Sequence, residues 1–324
     1  MKPLDLYFGG AYAELIEKKN ALEKRIANNL NINPTQIRLT NGSNGAIEYV
    51  TLQLAIRAHM HNALNMRAII DVPNYFDTLR FLKNTGFETE IIERDCDFGF
   101  PYKTFKQKLE TNPYLAVITD PNNPCGTTLS RNKLKSIIDN AKNTIVLVDR
   151  TCITIEKTIP TIKLLEEYSP KNIIALHSYS KTHSLSGKRI GYVAVSNPGL
   201  AEQLFEHVDD GRVSLDAMNT LELFFNNSTI INQNKLKIAA SRKIIESFKQ
   251  QYEWFIYSGS SSNFTIISIP EQIATILQTQ FQFPKVNEKF GSVRAGYYRI
   301  NISEPEPVRS FFEQYKQLLA SVAT

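Results

Sequence analysis

The sequence predicts an α/β fold, with a large unit built on a mostly parallel β-sheet with helices on both faces and a smaller α+β unit. Through the first two thirds of the chain, short apolar strands alternate with segments of helical length, which is the pattern of βαβ units. From about Asp216 the pattern changes to a long helical region, two strands and a final helix. We therefore expect the large unit to span residues 31–215 and the small unit to combine 1–30 with 216–324.

The individual elements follow from periodicity and from chain-breaking residues. Helical periodicity predicts helices over 15–30, from 46 to about 62, across 216–248 and over 307–319. Apolar runs predict the strands of both units, at 36–40, 68–72, 89–93, 115–119, 145–148, 173–176, 192–196, 263–267 and 296–302.

The composition bounds the class of protein. Of the 324 residues, 42% are hydrophobic and 21% charged, which is ordinary for a globular protein in water. No apolar run approaches the roughly 20 residues that cross a bilayer, and the start, Met1 to Asp5, lacks a signal-type apolar core. We therefore expect no membrane partner and a cytoplasmic location. The net charge is +5 without a dense basic run, so no nucleic-acid partner is expected, while an anionic small substrate would suit the charge.

The cysteines and histidines argue against metal and disulfide chemistry. Cys96, Cys125 and Cys152 are an odd count with no CxxC spacing. The five histidines are scattered, and no HExxH occurs. We expect neither a metal site nor a disulfide framework.

One loop is rich in chemistry. Ser178-Tyr179-Ser180-Lys181 follows an apolar strand, and Arg189 and Gly191 come shortly after. A lysine there can form a Schiff base with an aldehyde cofactor, and two hydroxyls plus a guanidinium can hold the phosphate of that cofactor. Taken alone, a solvated loop after a buried strand explains the segment equally well.

A second loop, Asn41-Gly42-Ser43-Asn44, lies between a strand and a helix. Backbone N–H groups, the helix dipole and the Ser43 hydroxyl together form an anion site. Simple capping of the helix by Ser43 or Asn44 is the alternative.

Two further segments end apolar strands with polar side chains. The first is a tight turn, Asp120-Pro121-Asn122-Asn123-Pro124-Cys125-Gly126, and an asparagine held in this turn can donate to a phenolate oxygen. Asp149 ends the strand 145–148, where a buried carboxylate needs a cationic or N–H partner. A protonated pyridine nitrogen is one such partner, and capping of the next element is the alternative.

These four segments occur in one order, each at a strand end. In this arrangement the chain resembles the fold type I pyridoxal phosphate enzymes, specifically the class I/II aminotransferases of histidinol-phosphate aminotransferase type. The resemblance covers nearly the whole chain and is most specific over 178–192. It implies pyridoxal 5'-phosphate as the cofactor, amino-acid and 2-oxo-acid substrates, and a homodimer with shared active sites.

The resemblance also implies a role for each matched residue. Lys181 forms the Schiff base and then moves the proton, and Asp149 pairs with the ring nitrogen. Asn123 binds the phenolic oxygen, Tyr75 stacks on the ring, and Arg299 receives the substrate α-carboxylate. The residues implied in binding the phosphate are Gly42, Ser43, Asn44, Ser178, Ser180, Arg189 and, from the neighbouring subunit, Tyr7.

The chain departs from the family pattern near the cofactor. Cys152 stands where the family has a tyrosine that shares the phenolic oxygen, and cysteine is a weak donor. Arg150 replaces a usual acid, and His183 brings an imidazole close to the lysine loop. We expect His183 to be structural, with an extra proton carrier as the alternative.

These departures keep other outcomes open beside transamination. On the same scaffold a pyridoxal phosphate enzyme can act as a decarboxylase, as threonine-phosphate decarboxylases do, or as a lyase or cyclase. A non-catalytic protein that binds pyridoxal phosphate is the alternative from another class.

Overall fold

The computed structural model describes residues 10–61, 66–152, 165, 171–206, 212–225, 227–252, 260–302 and 304–322. Within them a seven-stranded sheet forms the centre of the large unit. Its strands are β1 (Ile37–Thr40), β2 (Arg67–Val72), β3 (Glu88–Glu93), β4 (Leu115–Thr119), β5 (Ile145–Asp149), β6 (Ile173–Ser178) and β7 (Gly191–Val195). Their order is β1-β7-β6-β5-β4-β2-β3. Strand β7 runs antiparallel to both of its neighbours, β1 and β6, and the four other strand pairs are parallel, which confirms the mostly parallel sheet.

Helices cover both faces of this sheet, as predicted. In chain order they are α1 (Gly10–Leu30), α2 (Gly42–Met60), α3 (Phe76–Asn84), α4 (Tyr102–Leu109), α5 (Arg131–Asn140), α6 (Tyr179–Thr182), α7 (Pro198–Phe205) and α8 (Leu215–Phe224). Apolar residues of α2 and α7 pack on one face, and those of α4 and α5 pack on the other, together with α1 and α8 further along. The central strands β4, β5 and β6 are buried along their whole length, as expected when both faces are covered.

The small unit has α+β character. Strands β8 (Phe264–Ser268) and β9 (Tyr297–Asn301) pair antiparallel. The helices of this part are α9 (Ser228–Gln251), α10 (Glu271–Leu277), α11 (Val286–Phe290) and α12 (Pro305–Val322). Residues of α9, α10, α12 and both strands share one apolar core.

Several predicted boundaries differ from the structure: helix α1, for example, begins at Gly10 rather than at 15. Three further differences concern the helical region 216–248, helix α2 and strand β1. The helical region 216–248 is two helices, because α8 ends at Phe224 and Asn227 caps a new helix by accepting the Ile230 N–H at 3.2 Å. Helix α2 begins at Gly42 rather than at 46. Strand β1 begins one residue late, because Pro34–Gln36 form a 3₁₀ turn capped by Asn33.

The division into 31–215 and 1–30 with 216–324 remains a prediction. One observation argues against grouping residues 1–30 with the small unit. Leu22 and Ile26 of α1 share an apolar cluster with Leu39 of β1 and Tyr192 of β7, so α1 packs on the large sheet.

No helix among the described residues is both long and apolar enough to cross a bilayer. In the same part of the chain, no three His, Cys, Asp or Glu side chains come together as a metal site requires. No disulfide joins the cysteines of the described ranges.

Candidate active site

The carboxyl ends of the parallel strands meet at one edge of the large sheet and border a cavity of about 470 Å³. The loops after β1, β2, β4, β5 and β6 all contribute to its lining, and β8 and β9 close it from the side of the small unit. The residues named from the sequence that line it are Ser43, Asn44, Tyr75, Asn123, Asp149, Cys152, Ser180, Lys181, Arg189 and Arg299. The structure therefore brings together residues that are dispersed over the whole chain.

Two further residues named from the sequence lie directly behind this lining. The Oγ atoms of Ser178 and Ser180 are 2.9 Å apart, and Ser178 Oγ accepts the Ser180 N–H at 3.2 Å. Gly42 is in contact with the guanidinium of Arg189. Tyr7, implied in binding the phosphate, lies outside the described residues.

The return strand β7 places Arg189 beside the lysine loop. Gly191, the first residue of β7, pairs with Thr40 of β1 on one side and with Ser178 of β6 on the other. A Cβ at position 191 would lie 2.3 Å from the His177 carbonyl oxygen, so only glycine allows this approach. The loop before β7 therefore ends between the last residue of β1 and the last residue of β6.

The N-terminus of α2 has the features of an anion site. Gly42 has φ +68°, and a Cβ there would lie 2.7 Å from Nη2 of Arg189. The first N–H groups of a helix lack intrahelical partners and carry the positive end of the dipole, here beside a guanidinium. Capping by Ser43 or Asn44 is not observed, because the N-cap residue is Asn41 and it makes no side-chain cap.

Arg299 and Asn123 are joined across the cavity. Nη1 of Arg299 donates to the Asn123 side-chain oxygen at 3.1 Å. Because guanidinium only donates, this bond directs the amide oxygen of Asn123 toward the arginine and the amide nitrogen, a donor, to the other side. Burial lowers the pKa of Arg299, opposed by Cys152 and Tyr75. Within the described residues, its buried Nε has no hydrogen-bond acceptor.

Asp149 is a buried carboxylate at the end of β5. Its Oδ1 accepts the N–H of Thr151 at 2.9 Å, a local bond to the segment that follows β5. Burial raises its pKa, with the Thr151 hydrogen bonds and the Arg150 charge opposing. Desolvation therefore dominates, and a cation bound in the cavity would restore the charged form.

The structure explains two of the departures beside Asp149. Arg150 does not line the cavity: it is fully buried, forms an ion pair with the Asp120 carboxylate, and donates from Nη1 to the Asp120 carbonyl at 2.9 Å. Cys152 does line it, and burial raises the pKa of its thiol to about 12. The cavity therefore has a neutral, weakly donating group at the position where the resemblance leads us to expect a tyrosine.

His183 is packed away from the cavity. It is buried, its ring lies edge-on to Tyr179 with centroids 5.0 Å apart, and it is absent from the cavity lining. Burial lowers its pKa, opposed by a hydrogen bond with the Phe225 backbone. This packing supports the structural interpretation of His183.

Five cavity residues were not foreseen. Thr119 and Thr151 flank the strand ends already named, so their positions were a usable signal. Ser186 lies inside the lysine-loop motif. Asn301 lies two residues after Arg299 on β9 and so on the same face of the strand, which was a usable signal, whereas the sequence of β8 gives none for Phe264.

Comparison with known proteins places the chain in a family. The chain matches the family described as Aminotransferase class I and II over residues 10–252. It is 24% identical over 304 residues to histidinol-phosphate aminotransferase 1 of Carboxydothermus hydrogenoformans, covering 92% of this chain and 82% of that protein.

Two solved structures have a similar fold. One is a histidinol-phosphate aminotransferase from Sinorhizobium meliloti in complex with pyridoxal-5'-phosphate (TM-score 0.75, 17% identity, 96% of this chain and 88% of that chain). The other is L-threonine-O-3-phosphate decarboxylase from Porphyromonas gingivalis (TM-score 0.72, 15% identity, 93% of each chain). The family match extends over more than half of the chain and confirms the resemblance seen in the motifs. The chain belongs to the aminotransferase class I and II family and is a pyridoxal phosphate-dependent aminotransferase.

Proposed function

We propose that this enzyme moves an amino group between an amino acid and a 2-oxo acid in the cavity at the strand ends, with Lys181 as its catalytic residue. The observation that carries the proposal is the convergence of Lys181, Asp149 and Asn123. They lie at the carboxyl ends of the adjacent strands β6, β5 and β4 and line one cavity. A lysine, a buried carboxylate and an amide donor are the groups that an aldehyde-bearing pyridine requires.

The residues present fit pyridoxal phosphate at both of its ends. Gly42 leaves space for the Arg189 guanidinium beside the N-terminus of α2, which suits a phosphate. The buried Asp149 suits a protonated ring nitrogen, and the amide of Asn123, oriented by Arg299, suits the phenolic oxygen. Tyr75 lines the same cavity and would cover one face of the ring.

The chemistry divides between the cofactor and the chain. When bound, pyridoxal phosphate supplies an aldehyde that reacts with primary amines and a ring that stabilises negative charge at the substrate α-carbon. Lys181 anchors the cofactor through Nζ. The Nζ of Lys181 would also act as the base that removes the α-proton of the substrate and delivers it to its new position. A positioned base of this kind contributes about 10² to 10⁴ in rate.

Arg299 would orient the substrate. Its buried Nε, which has no acceptor within the described residues, and its terminal nitrogens can hold an anionic group by two parallel bonds. Guanidinium binds carboxylate and phosphate alike. The name of the relative, histidinol-phosphate aminotransferase, is therefore compatible with an amino donor that carries phosphate in place of a carboxylate.

Decarboxylation is the second candidate, and Cys152 is the observation that favours it. The tyrosine that usually tunes the cofactor is replaced by a thiol whose pKa is raised to about 12 by burial. One similar structure is a decarboxylase. Product analysis separates the candidates: transamination yields a 2-oxo acid and converts the cofactor to its amine form, whereas decarboxylation releases carbon dioxide.

A homodimer with shared active sites remains part of the proposal, as does a cytoplasmic location. Leu52, Ile56 and Met60 repeat at every turn of α2 and are 42%, 40% and 72% exposed, which suits an apolar contact between subunits. Sedimentation velocity at micromolar concentration would detect the dimer, and a monomer at all concentrations would contradict it.

The proposal is tested by the visible spectrum of the purified protein during addition of a panel of amino acids. We expect a yellow band that one donor abolishes, and we expect Lys181→Ala to lose the band shift and the turnover. Lys188→Ala is the matched control, since Lys188 belongs to the same loop but pairs with Asp216 at 2.9 Å. A protein that takes up no pyridoxal phosphate, or an alanine variant at position 181 with wild-type turnover, would contradict the proposal.

A further inference from the structure

A buried carboxylate that the sequence motifs do not include lies just behind the cavity. Asp77, in the first turn of α3, is only 4% exposed. Its Oδ2 accepts an N–H of the Asn44 side chain at 2.9 Å and lies 2.9 Å from the Tyr75 hydroxyl. The same hydroxyl lies 2.9 Å from the Asn44 side-chain oxygen. Asn44, Tyr75 and Asp77 thus form a closed triangle of polar contacts.

This triangle connects two separate parts of the cavity wall. Asn44 belongs to the first turn of α2, where the anion site is. Tyr75 belongs to the loop between β2 and α3. Both residues line the cavity, whereas Asp77 does not. Asp77 therefore contacts the wall from behind and reaches the cavity only through its two partners.

Two neighbouring groups favour the Asp77 carboxylate as a hydrogen-bond acceptor at this position. The guanidinium of Arg80, one turn further along α3, forms an ion pair with its other oxygen, Oδ1, at 2.7 Å. The N-terminal end of α3 adds a favourable dipole. Burial first, and then the hydrogen bond with Asp77, raise the pKa of Tyr75 to about 12, so its hydroxyl keeps its proton.

We propose that Asp77 is a positioning residue that holds the Tyr75 ring and the Asn44 amide in the arrangement that receives pyridoxal phosphate. The inference rests on the proposed function, in which Tyr75 covers the ring and Asn44 belongs to the phosphate end. Oδ2 of Asp77 thereby holds both Tyr75, which would cover the ring, and Asn44, at the phosphate end, in place before the cofactor binds. Without it, the cofactor must order both side chains, and this cost reduces affinity.

The experiment measures the dissociation constant of pyridoxal phosphate by titrating cofactor-free protein, and the visible circular dichroism of the bound cofactor. For Asp77→Ala we expect about a tenfold higher dissociation constant, the scale of one hydrogen bond to a charged group, and a smaller dichroic band. Asp77→Asn retains an oxygen for both partners, and Arg80→Ala removes the ion pair with Oδ1 but leaves both polar contacts of Oδ2. Both should stay within about threefold of the wild type.

A double-mutant cycle with Tyr75→Phe separates positioning from general destabilisation. Phenylalanine keeps the ring and removes the hydroxyl, so the effect of Asp77→Ala should shrink in that background. Additive effects, or an unchanged dissociation constant in Asp77→Ala, would overturn the inference. If Asp77→Ala does not fold, Asp77→Leu replaces it, both in the wild type and in the Tyr75→Phe background. Failure of the wild type to bind pyridoxal phosphate would instead contradict the proposed function.

Discussion

The guanidinium of Arg299 donates to the side-chain oxygen of Asn123 across 3.1 Å, although 176 residues separate the two along the chain. Arg299 lies on β9 of the small unit, and Asn123 lies on the loop after β4. The rings of Phe264 and Phe290 are within 5.5 Å of the guanidinium carbon and confine it. The proposed substrate-binding arginine is therefore fixed to the proposed cofactor-binding asparagine.

Arg299→Lys should impair substrate binding more than stability. A lysine cannot make two parallel bonds to one carboxylate, so we expect kcat/KM for the amino donor to fall about 10- to 100-fold, chiefly through KM. Steady-state kinetics measure this change. Arg294→Lys is the control, because Arg294 bonds to the backbone of Arg94 and Asp95, outside the cavity. Equal losses in both variants would argue against a substrate role for Arg299.

Gly42→Ala should weaken the binding of pyridoxal phosphate. The added Cβ would meet the Arg189 guanidinium at 2.7 Å, and the backbone at φ +68° disfavours any side chain. We expect about tenfold lower affinity, together with a loss of about 1 kcal/mol in the free energy of unfolding. Gly86→Ala isolates the backbone term, since Gly86 has φ +83° and nothing within 4 Å of the added Cβ. It should lose stability and keep its affinity.

Arg150→Leu should destabilise the fold strongly. The variant leaves the Asp120 carboxylate buried without its cationic partner, which costs about 3–5 kcal/mol in the free energy of unfolding. Urea unfolding measures this loss. Adding Asp120→Asn removes the uncompensated charge and should recover a large part of it. A single variant as stable as the wild type would show that the pair contributes little.

His177→Phe should weaken the dependence of the free energy of unfolding on pH below pH 6.5. Burial, then the charges of His183 and Arg150, lower the pKa of His177 to about 3, against about 6.5 in the unfolded chain. The unfolded state therefore binds more protons between these values. The contribution of neutral His177 is complete above pH 6.5 and is lost as the pH falls toward 3. The loss is about 1.4 kcal/mol per pH unit.

Phenylalanine at position 177 keeps a ring against Tyr179 and Tyr192 but cannot bind a proton. Denaturant unfolding from pH 7 to pH 4 should therefore give a shallower profile for the variant. Parallel profiles for the wild type and His177→Phe would contradict the assignment of this slope to His177.

Much of the fold could be predicted from the sequence, and so could the edge of the large sheet at which the candidate site lies. Apolar strands spaced by helices indicate a parallel sheet, and the carboxyl ends of parallel strands share one edge. Asn123, Asp149 and Lys181 each follow such a strand, so their order along the chain implied their proximity in space. Local periodicity and strand direction were sufficient for this part.

Tertiary structure decided what depends on the direction of single side chains and on contacts between distant segments. Arg150 follows the strand aspartate directly, yet it turns to Asp120, because a guanidinium buried there needs a carboxylate. Asp77 appeared in no motif, and it gains a role only because α2 and the loop after β2 meet beside it. Chain order gives the sequence of strand ends, but the partner that each buried polar group requires is determined only when the whole chain has packed.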